Sequence, residues 1–410
     1  MEFYHEQNSL NYNEHEERSN ISLPIGFSFD DDDDDDEHDL PHASPRSSHV
    51  SASSFLVCPM SPETPFTRSP IRLSPSPTLL YDCLASLHFT KGNIFSLTIT
   101  KDFIFTGSNS RKIHAWKLPD CPETGYIRAP SGDIRNMLSR DKMLFTTHGD
   151  SRVRAWEISK SRLKKIITLP PRKSLFVFPK KIIKVTLSCI AYNAKEKLIF
   201  IGSMNQTVSV WRMYEKRCVE SFIAHEGCVN AIVINENDDM SIFTCSSDGT
   251  LKVWRREYRE SSHILITILS FQTSPINTLA ISSSPSFCFL YSGSSDGTIN
   301  YWEKEENSGR YKYDHGGFLY GHHFAVRSLV TIGDLILSGS DDATIRIWRR
   351  ESDKSLHTSL AVIDGHHGPV KCLSAAVMES DECVEGLLVC SASLDQTLKV
   401  WRVKVKCTIG

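Results

Sequence analysis

The chain has 410 residues, of which 40% are hydrophobic and 10% aromatic, and it carries a formal net charge of −3. No stretch reaches the roughly 18–20 apolar residues that a membrane-spanning helix needs, and the N-terminus lacks the basic and apolar regions of a secretory signal. The twelve cysteines form no CxxC pair. We therefore expect reduced thiols, without disulfides or a structural metal.

Charge is segregated along the chain. Residues 1–80 contain 15 acidic and 4 basic side chains, a net charge of −11, which leaves a net charge of +8 for the remainder. Residues 1–77 are polar, acidic and punctuated by proline, with no strand or helix period, so we predict a disordered tail followed by a folded body over 78–410.

Two features of the tail suggest regulation. The first is an acidic segment, "FDDDDDDDEHD", at residues 29–39. The second is a series of proline-directed phosphorylation candidates, in which each phosphate would add roughly −1.5 to −2 charges; they are Ser44, Ser61, Thr64, Ser69, Ser74 and Ser76. We hypothesise that the tail covers a basic face of the body, the alternative being a solvated linker.

All seven tryptophans end the same local pattern, as in "SSDGTLKVW" at Trp254 and "SDDATIRIW" at Trp348. They are spaced by 40, 55, 43, 48, 46 and 53 residues. A period of about 40–45 residues with insertions is typical of β-propeller blades of four strands each. The sequence therefore predicts an all-β, seven-bladed propeller.

The pattern also predicts a polar network in each blade. Aspartate six residues before tryptophan is expected in a tight turn, where its carboxylate accepts hydrogen bonds from turn amides. Serine eight residues before is expected to accept the indole N–H, and an upstream histidine to bridge hydroxyl and carboxylate. The predicted network comprises His225, Ser246, Asp248, Trp254, Ser294, Asp296, Trp302, His322, Ser340, Asp342, Trp348, His366, Ser393, Asp395 and Trp401.

Between the second and third blades, residues 160–184 contain nine Lys or Arg and no acid, with "SLFVF" between the charges. A charge run is commonly just solvated surface. A basic-aromatic loop on a binding face also suits an acidic peptide, a nucleic-acid backbone or an anionic lipid. The Phe-Arg-Arg-Gly motif of phosphoinositide-binding propellers is absent, which ranks lipid last. The candidate contacts in this loop are Arg172, Lys173, Phe176, Phe178, Lys180, Lys181 and Lys184.

We expect the tight turns and the Gly-His positions to emerge on the same face as this loop. Further contact residues are then those beside the turn aspartates and the histidines: Lys91, Asn109, Met204, Glu226, His323, Asp341, His367 and Leu394.

The last blade has only three strands before the chain ends. The strand at residues 78–89, "TLLYDCLASLHF", belongs to no blade of its own. We predict that it pairs with the strand ending at Trp401 and closes the ring, which covers an edge that would otherwise invite aggregation.

The blade pattern resembles the WD-repeat family, with "GH" at Gly321-His322 and Gly365-His366 and "AH" at Ala224-His225, although no tryptophan is followed by aspartate. More narrowly, "LLYDCLASLHFTKGNIFSL" (79–97) and "FTGSNSRKIHAWKLPDC" (105–121) are similar to the plant JINGUBANG-type WD-repeat proteins. That resemblance implies a regulatory protein of pollen germination or growth, acting through transcriptional regulators.

No catalytic motif or cofactor-binding motif is present. We interpret the chain as a non-enzymatic, monomeric interaction scaffold in the cytoplasm or nucleus that binds acidic or phosphorylated segments of other proteins. Two alternatives stay open. A substrate receptor of a cullin-type ubiquitin ligase would show Trp-Asp-x-Arg or a close variant, and the nearest matches, "WEIS" at Trp156 and "WEKE" at Trp302, lack the basic residue at the fourth position. A nucleic-acid binder would suit the basic body.

Overall fold

The structure, a computed structural model, describes twelve stretches of the chain. They are residues 79–89, 92–129, 132–159, 162–171, 185–237, 241–257, 262–271, 273–284, 287–304, 312–351, 356–378 and 384–406. The predicted tail and its six phosphorylation candidates lie outside these residues, so their predictions remain predictions.

All regular structure in the described residues is β-strand. The first fourteen strands are β1 Leu79–His88, β2 Ile94–Ile99, β3 Phe103–Ser108, β4 Lys112–Lys117, β5 Glu123–Arg128, β6 Ile134–Arg140, β7 Met143–His148, β8 Val153–Ser159, β9 Arg162–Leu169, β10 Leu187–Asn193, β11 Leu198–Ser203, β12 Thr207–Arg212, β13 Arg217–Ile223 and β14 Val229–Ile234. The other fourteen are β15 Ile242–Ser246, β16 Leu251–Glu257, β17 Ser262–Leu269, β18 Ile276–Ser284, β19 Phe287–Ser294, β20 Ile299–Lys304, β21 Tyr313–Leu319, β22 Val326–Ile332, β23 Leu335–Ser340, β24 Thr344–Arg350, β25 His357–Asp364, β26 Val370–Met378, β27 Val384–Ser393 and β28 Thr397–Lys406.

These strands form seven antiparallel sheets of four strands, and consecutive sheets are the blades of a ring. Blade one is β2–β5, blade two β6–β9, blade three β10–β13, blade four β14–β17, blade five β18–β21 and blade six β22–β25. The first strand of each blade packs on the first strand of the next, so these inner strands surround the axis. The predicted seven-bladed propeller is confirmed.

Blade seven is built from both ends of the folded body. Its strand order is β1-β28-β27-β26, with β1 as the outermost strand. Leu79 pairs with Val405 and His88 with Thr397, with one irregularity between Cys83 and Ala85. The predicted closure of the ring by the N-terminal strand is therefore confirmed.

The core is a set of apolar layers between neighbouring blades. Middle strands are apolar on both faces, as in β23, whose six residues are all buried. Between blades six and seven, Leu337 and Ile347 belong to one cluster with Val370 and Trp401. Because each layer needs side chains from two blades, a blade cannot bury its faces without its neighbours.

Glycine nine residues before tryptophan sets the spacing between several blades. A Cβ on Gly339 would lie 2.7 Å from the Val370 side chain of the next blade, and one on Gly293 would lie 2.6 Å from Val326. No side chain fits at these positions unless the neighbouring inner strand moves.

We expect Gly339→Val to lower the free energy of unfolding by about 1–3 kcal/mol, since it overpacks this contact. Gly386→Ala is the control, because its Cβ would meet Met378 at an ordinary 3.5 Å. Denaturant unfolding of the two variants checks the prediction. Equal stability of both variants would show that the spacing between blades is not set at Gly339.

Candidate functional site

One end of the ring carries both the tight turns between the second and third strands and the loops that lead into each inner strand. Asp342 in a turn and His322 in a loop are hydrogen-bonded, which places both sets together. We call this end the upper face. Its turns are residues 109–111, 149–152, 204–206, 247–250, 295–298, 341–343 and 394–396.

Blade six shows the polar network beneath this face. Trp348 Nε1 donates a hydrogen bond to Ser338 Oγ over 3.1 Å, and Ser338 Oγ lies 2.8 Å from His322 Nε2. His322 Nδ1 lies 2.8 Å from Asp342 Oδ2. The indole is donor-only and the carboxylate acceptor-only, so the proton order is fixed from tryptophan to serine to histidine to aspartate. His322 is then a neutral imidazole protonated on Nδ1.

Blades four and seven repeat the arrangement. In blade four, Trp254 Nε1 donates to Thr244 Oγ1 over 2.9 Å, and His225 connects Thr244 with Asp248. The corresponding residues of blade seven are Trp401, Ser391, His366 and Asp395.

The hydroxyl that accepts the indole hydrogen bond is ten residues before tryptophan, so the prediction that it is eight residues before is wrong. Strand pairing explains the difference. Trp348 lies opposite Ile336, which leaves Ser338 two residues away and Ser340 four, at the turn. Ser340 Oγ instead accepts the amide N–H of Asp342, and equivalent bonds join Ser246, Ser294 and Ser393 to the turn aspartates Asp248, Asp296 and Asp395.

The aspartates also hold the exposed loops in place. Asp342 accepts the amide N–H of His323 over 3.1 Å, Asp248 that of Glu226 over 3.0 Å, and Asp395 that of His367 over 2.9 Å. The network therefore fixes the backbone of the residues that the upper face displays, which reduces the conformational entropy lost when a partner binds.

The other blades use different contacts. In blade two, His148 on the strand itself replaces the loop histidine, with Nε2 at 2.8 Å from Thr146 Oγ1, while Arg154 pairs with Asp150 at 2.6 Å. In blade three, Trp211 donates to Ser209 instead. In blade five, Asp296 accepts from Thr298, while the buried Ser292 Oγ has no hydrogen-bond partner among the described residues.

Protonation of this network should make stability depend on pH. Burial lowers the pKa of His225, His322 and His366. Burial would raise the pKa of Asp248 and Asp395, but hydrogen bonds from the adjacent threonines and from loop groups outweigh it and lower each pKa to about 2.

We expect the free energy of unfolding to decrease on acidification in two windows. Below about pH 6.5 the unfolded histidines bind protons that the folded ones do not. The aspartate contribution is complete above the unfolded pKa of about 3.9 and is lost as the pH falls toward 2. Denaturant unfolding between pH 8 and pH 2 measures both windows, and unchanged stability from pH 7 to pH 5 would contradict neutral buried histidines.

The predicted contact residues fall into three groups. Met204 and Leu394 are 53% and 41% exposed on the upper face, where Glu226, His323 and His367 are also exposed. The other two described residues are engaged, since Asp341 binds the Arg327 guanidinium through both carboxylate oxygens and Asn109 accepts the N–H of Asn93 over 3.0 Å. Lys91, Arg172, Lys173, Phe176, Phe178, Lys180, Lys181 and Lys184 lie outside the described residues.

Phe324 is an upper-face residue that the sequence did not single out. It follows His323 in the loop of blade six and is 62% exposed. Its backbone carbonyl accepts the Ser340 hydroxyl over 2.9 Å, so the loop that presents the ring is tied to its turn. An exposed aromatic side chain on a fixed backbone is a common anchor for binding a protein.

The cysteine, histidine and acidic side chains of the described stretches form neither a disulfide nor a metal site. The nine cysteines among them are free thiols, and burial raises the pKa of Cys189 and Cys372 to about 12, which favours unreactive thiols at these two positions. In the described stretches no group of three or more His, Cys, Asp or Glu is placed to hold a metal ion. The same stretches contain no helix that is long and apolar enough to cross a membrane.

Comparison with known proteins identifies four repeats. The WD40 family, described as "WD domain, G-beta repeat", matches residues 216–255, 264–303, 315–349 and 357–402. Each match contains the outer strand of one blade and the three inner strands of the next, so every sequence repeat spans two blades. These four stretches are similar to WD40 repeats.

Similar proteins share parts of the chain at low identity. The zebrafish "p21-activated protein kinase-interacting protein 1-like" is 24% identical over 43% of the chain and 45% of its own length. The Dictyostelium discoideum "Myosin heavy chain kinase C" is 27% identical over 32% of the chain and 15% of its own. The Trichoplax adhaerens "Ribosome biogenesis protein WDR12 homolog" is 27% identical over 27% of the chain and 26% of its own. The chain thus spans less than half of the length of each of these relatives.

Proposed function

We propose that the chain is a non-enzymatic scaffold that binds other proteins through the upper face of its propeller. WD propellers bind other proteins, and the observation that carries the proposal here is the exposed set of Phe324, Met204 and Leu394 on one end of the ring. Aspartates of the polar network fix the loops of three blades at the same end. A fixed backbone with exposed apolar anchors suits a protein partner.

The pathway is a finer part of the proposal. The JINGUBANG-type resemblance points to plant growth control through transcriptional regulators, and the compartment would then be the cytoplasm or nucleus. Two similar proteins carry names that refer to kinase interaction and to ribosome biogenesis. What these sources share is assembly with other macromolecules, which agrees with a scaffold and leaves the partner open.

The first test is affinity purification of the intact chain beside a variant with Phe324, Met204 and Leu394 changed to serine. The control is Tyr214→Ser, which removes a 64% exposed aromatic side chain from the opposite end of the ring. We expect discrete proteins to be lost from the triple variant and retained by the control. Equal recovery by both variants would contradict binding through the upper face.

Nuclease treatment during the affinity purification distinguishes protein binding from the alternative of nucleic-acid binding. Neutralising the basic loop, by changing Arg172, Lys173, Lys180, Lys181 and Lys184 to glutamine, should leave partner capture sensitive to the upper-face triple variant. Recovery that disappears with nuclease and falls steeply with salt would instead identify nucleic acid as the bound species.

A further inference from the structure

Every inner strand has an irregularity at the same place. The register of each first-to-second strand pair skips the second residue of the inner strand, as at Asn230 between Val229 and Ala231. Such a bulge redirects a side chain. We call the seven skipped residues the mouth ring: Phe95, Arg135, Ser188, Asn230, Asn277, Arg327 and Lys371.

Hydrogen bonds place the mouth ring at the upper end of the inner strands. Asn230 Nδ2 donates to the carbonyl of Ile276 in the next blade over 2.7 Å, and Asn277 Nδ2 to that of Val326 over 3.1 Å. The Arg327 guanidinium reaches Asp341 in the upper turn of its own blade. Side chains of the mouth ring therefore lie along the axis opening on the upper face.

Three consecutive blades place Lys371, Phe95 and Arg135 in this ring, in the order seven, one and two. Cys372 Sγ donates to the carbonyl of Phe95 over 3.0 Å, which joins the first pair of inner strands. Thr98 Oγ1 and Ser139 Oγ, 2.7 Å apart, join the second pair. We call these three residues the mouth arc, in which the phenylalanine lies between the two cations in blade order.

The two cations of the mouth arc differ from their counterpart in blade six. Arg327, their counterpart in blade six, is paired with Asp341 at 2.6 Å. Among the ion pairs of the described residues, none includes Arg135 or Lys371, although Asp133 is two residues from Arg135. The turn aspartates of the same blades are engaged elsewhere, Asp150 with Arg154 and Asp395 with His366.

We propose that the mouth arc binds the chain's own acidic segment, residues 29–39, and that this segment competes with partners for the upper face. The segment carries nine acidic side chains, and a phenylalanine begins it. Carboxylates suit Arg135 and Lys371, and an aromatic side chain suits Phe95. This inference deepens the proposed function and rests on it.

The chain length permits this contact within one molecule. Residues 40–78 connect the segment to β1, which lies at the outer edge of blade seven, the blade that also carries Lys371. The distance from the start of β1 to the mouth arc, across the four strands of blade seven and along the length of β1, is about 35 Å. A random-coil chain of this length has a root-mean-square span of about 35 Å, which matches that distance and gives a high effective concentration of the segment at the arc.

The test uses a fluorescent peptide of residues 27–40 as the probe and the full-length chain as the receptor. In the open chain, Asp30 to Asp36 are changed to asparagine, so that the segment no longer competes. We expect the open chain to bind the peptide at least about tenfold more tightly than the intact chain. Equal affinities would show that the chain's own segment is not the occupant and would overturn the proposal.

Charge removal at the arc locates the site. In the open chain, Arg135→Gln with Lys371→Gln should weaken peptide binding by about tenfold or more, because both anchoring charges are lost. The matched control is Arg128→Gln with Lys404→Gln, which removes the same two charges from exposed outer positions. Equal weakening in both double variants would show that peptide binding depends only on the net charge of the chain, and would contradict a binding site at the mouth arc.

The two proposals fail separately. Partner capture that depends on Phe324, Met204 and Leu394 but is unaffected by the open-chain substitutions would overturn self-binding and leave the scaffold intact. Greater partner capture by the open chain supports the competition. If the triple variant captured partners as well as the intact chain does, the proposed function would be overturned, even where the peptide binds at the arc.

Discussion

A chain that lacks residues 1–89 should fail to fold cooperatively, whereas one that lacks residues 1–77 should keep the thermal midpoint of the full-length protein within about 2 °C. The two truncations differ by residues 78–89, which contain β1 and the buried Phe89. That strand pairs with β28 from Leu79 to His88, and Leu79 is buried in the cluster that contains Trp401 and Val403.

Two losses account for the size of the effect. Each ladder hydrogen bond contributes about 0.5–1.5 kcal/mol, and β1 pairs with β28 along its whole length. Its removal also turns β28 into an exposed edge strand of alternating apolar residues, which favours aggregation. Thermal unfolding and size-exclusion chromatography of the two truncations measure the result. A stable, monomeric protein without residues 1–89 would contradict ring closure by β1.

The second large effect is expected in the polar network of blade six. Ser338→Ala should lower the free energy of unfolding by about 2–4 kcal/mol, because two buried groups lose their partner. Trp348 Nε1 loses its acceptor and His322 Nε2 its donor. An unsatisfied buried polar group costs about 1–3 kcal/mol.

Blade five supplies a matched control for this substitution. Ser292 stands at the equivalent position, ten residues before Trp302, and is fully buried; within the part of the chain that the structure describes, its hydroxyl has no hydrogen-bond partner. Ser292→Ala removes the same atom and should change stability by less than about 0.5 kcal/mol. A similar loss in both variants would mean that the serine contributes through packing, not through the network.

The blade architecture was predictable because its signals are periodic and local. Seven tryptophans at a spacing of 40–55 residues define seven repeats, and the unmatched strand before the first repeat could pair only with the open edge of the last. Both predictions depend on counting strands, and neither needs side-chain geometry. The four stretches matched by the WD40 family cover the later blades, where the Gly-His and Asp positions are most regular.

The network was predictable in its members but not in its connections. Serine or threonine occurs both eight and ten residues before most of the tryptophans, and an even spacing puts both on one face of a strand. Only the register that sets Trp348 opposite Ile336 decides which hydroxyl is within reach. Sequence spacing does not contain that information.

The candidate site shows the same limit. Exposure of Met204 and Leu394 followed from their places in the tight turns, beside Asn205 and Asp395. Asp341 was expected to face a partner, but it binds Arg327 across its own blade. The mouth ring depends on bulges, which shift one residue in each inner strand without changing the apolar pattern.

The central claim, that the upper face is the binding face, is tested most directly by hydrogen–deuterium exchange of the full-length chain with and without a purified partner. We predict that protection appears in the upper turns 204–206, 341–343 and 394–396 and in the loop around Phe324, while the turn around Tyr214 at the other end of the ring is unchanged. Protection at the Tyr214 end alone would contradict the claim.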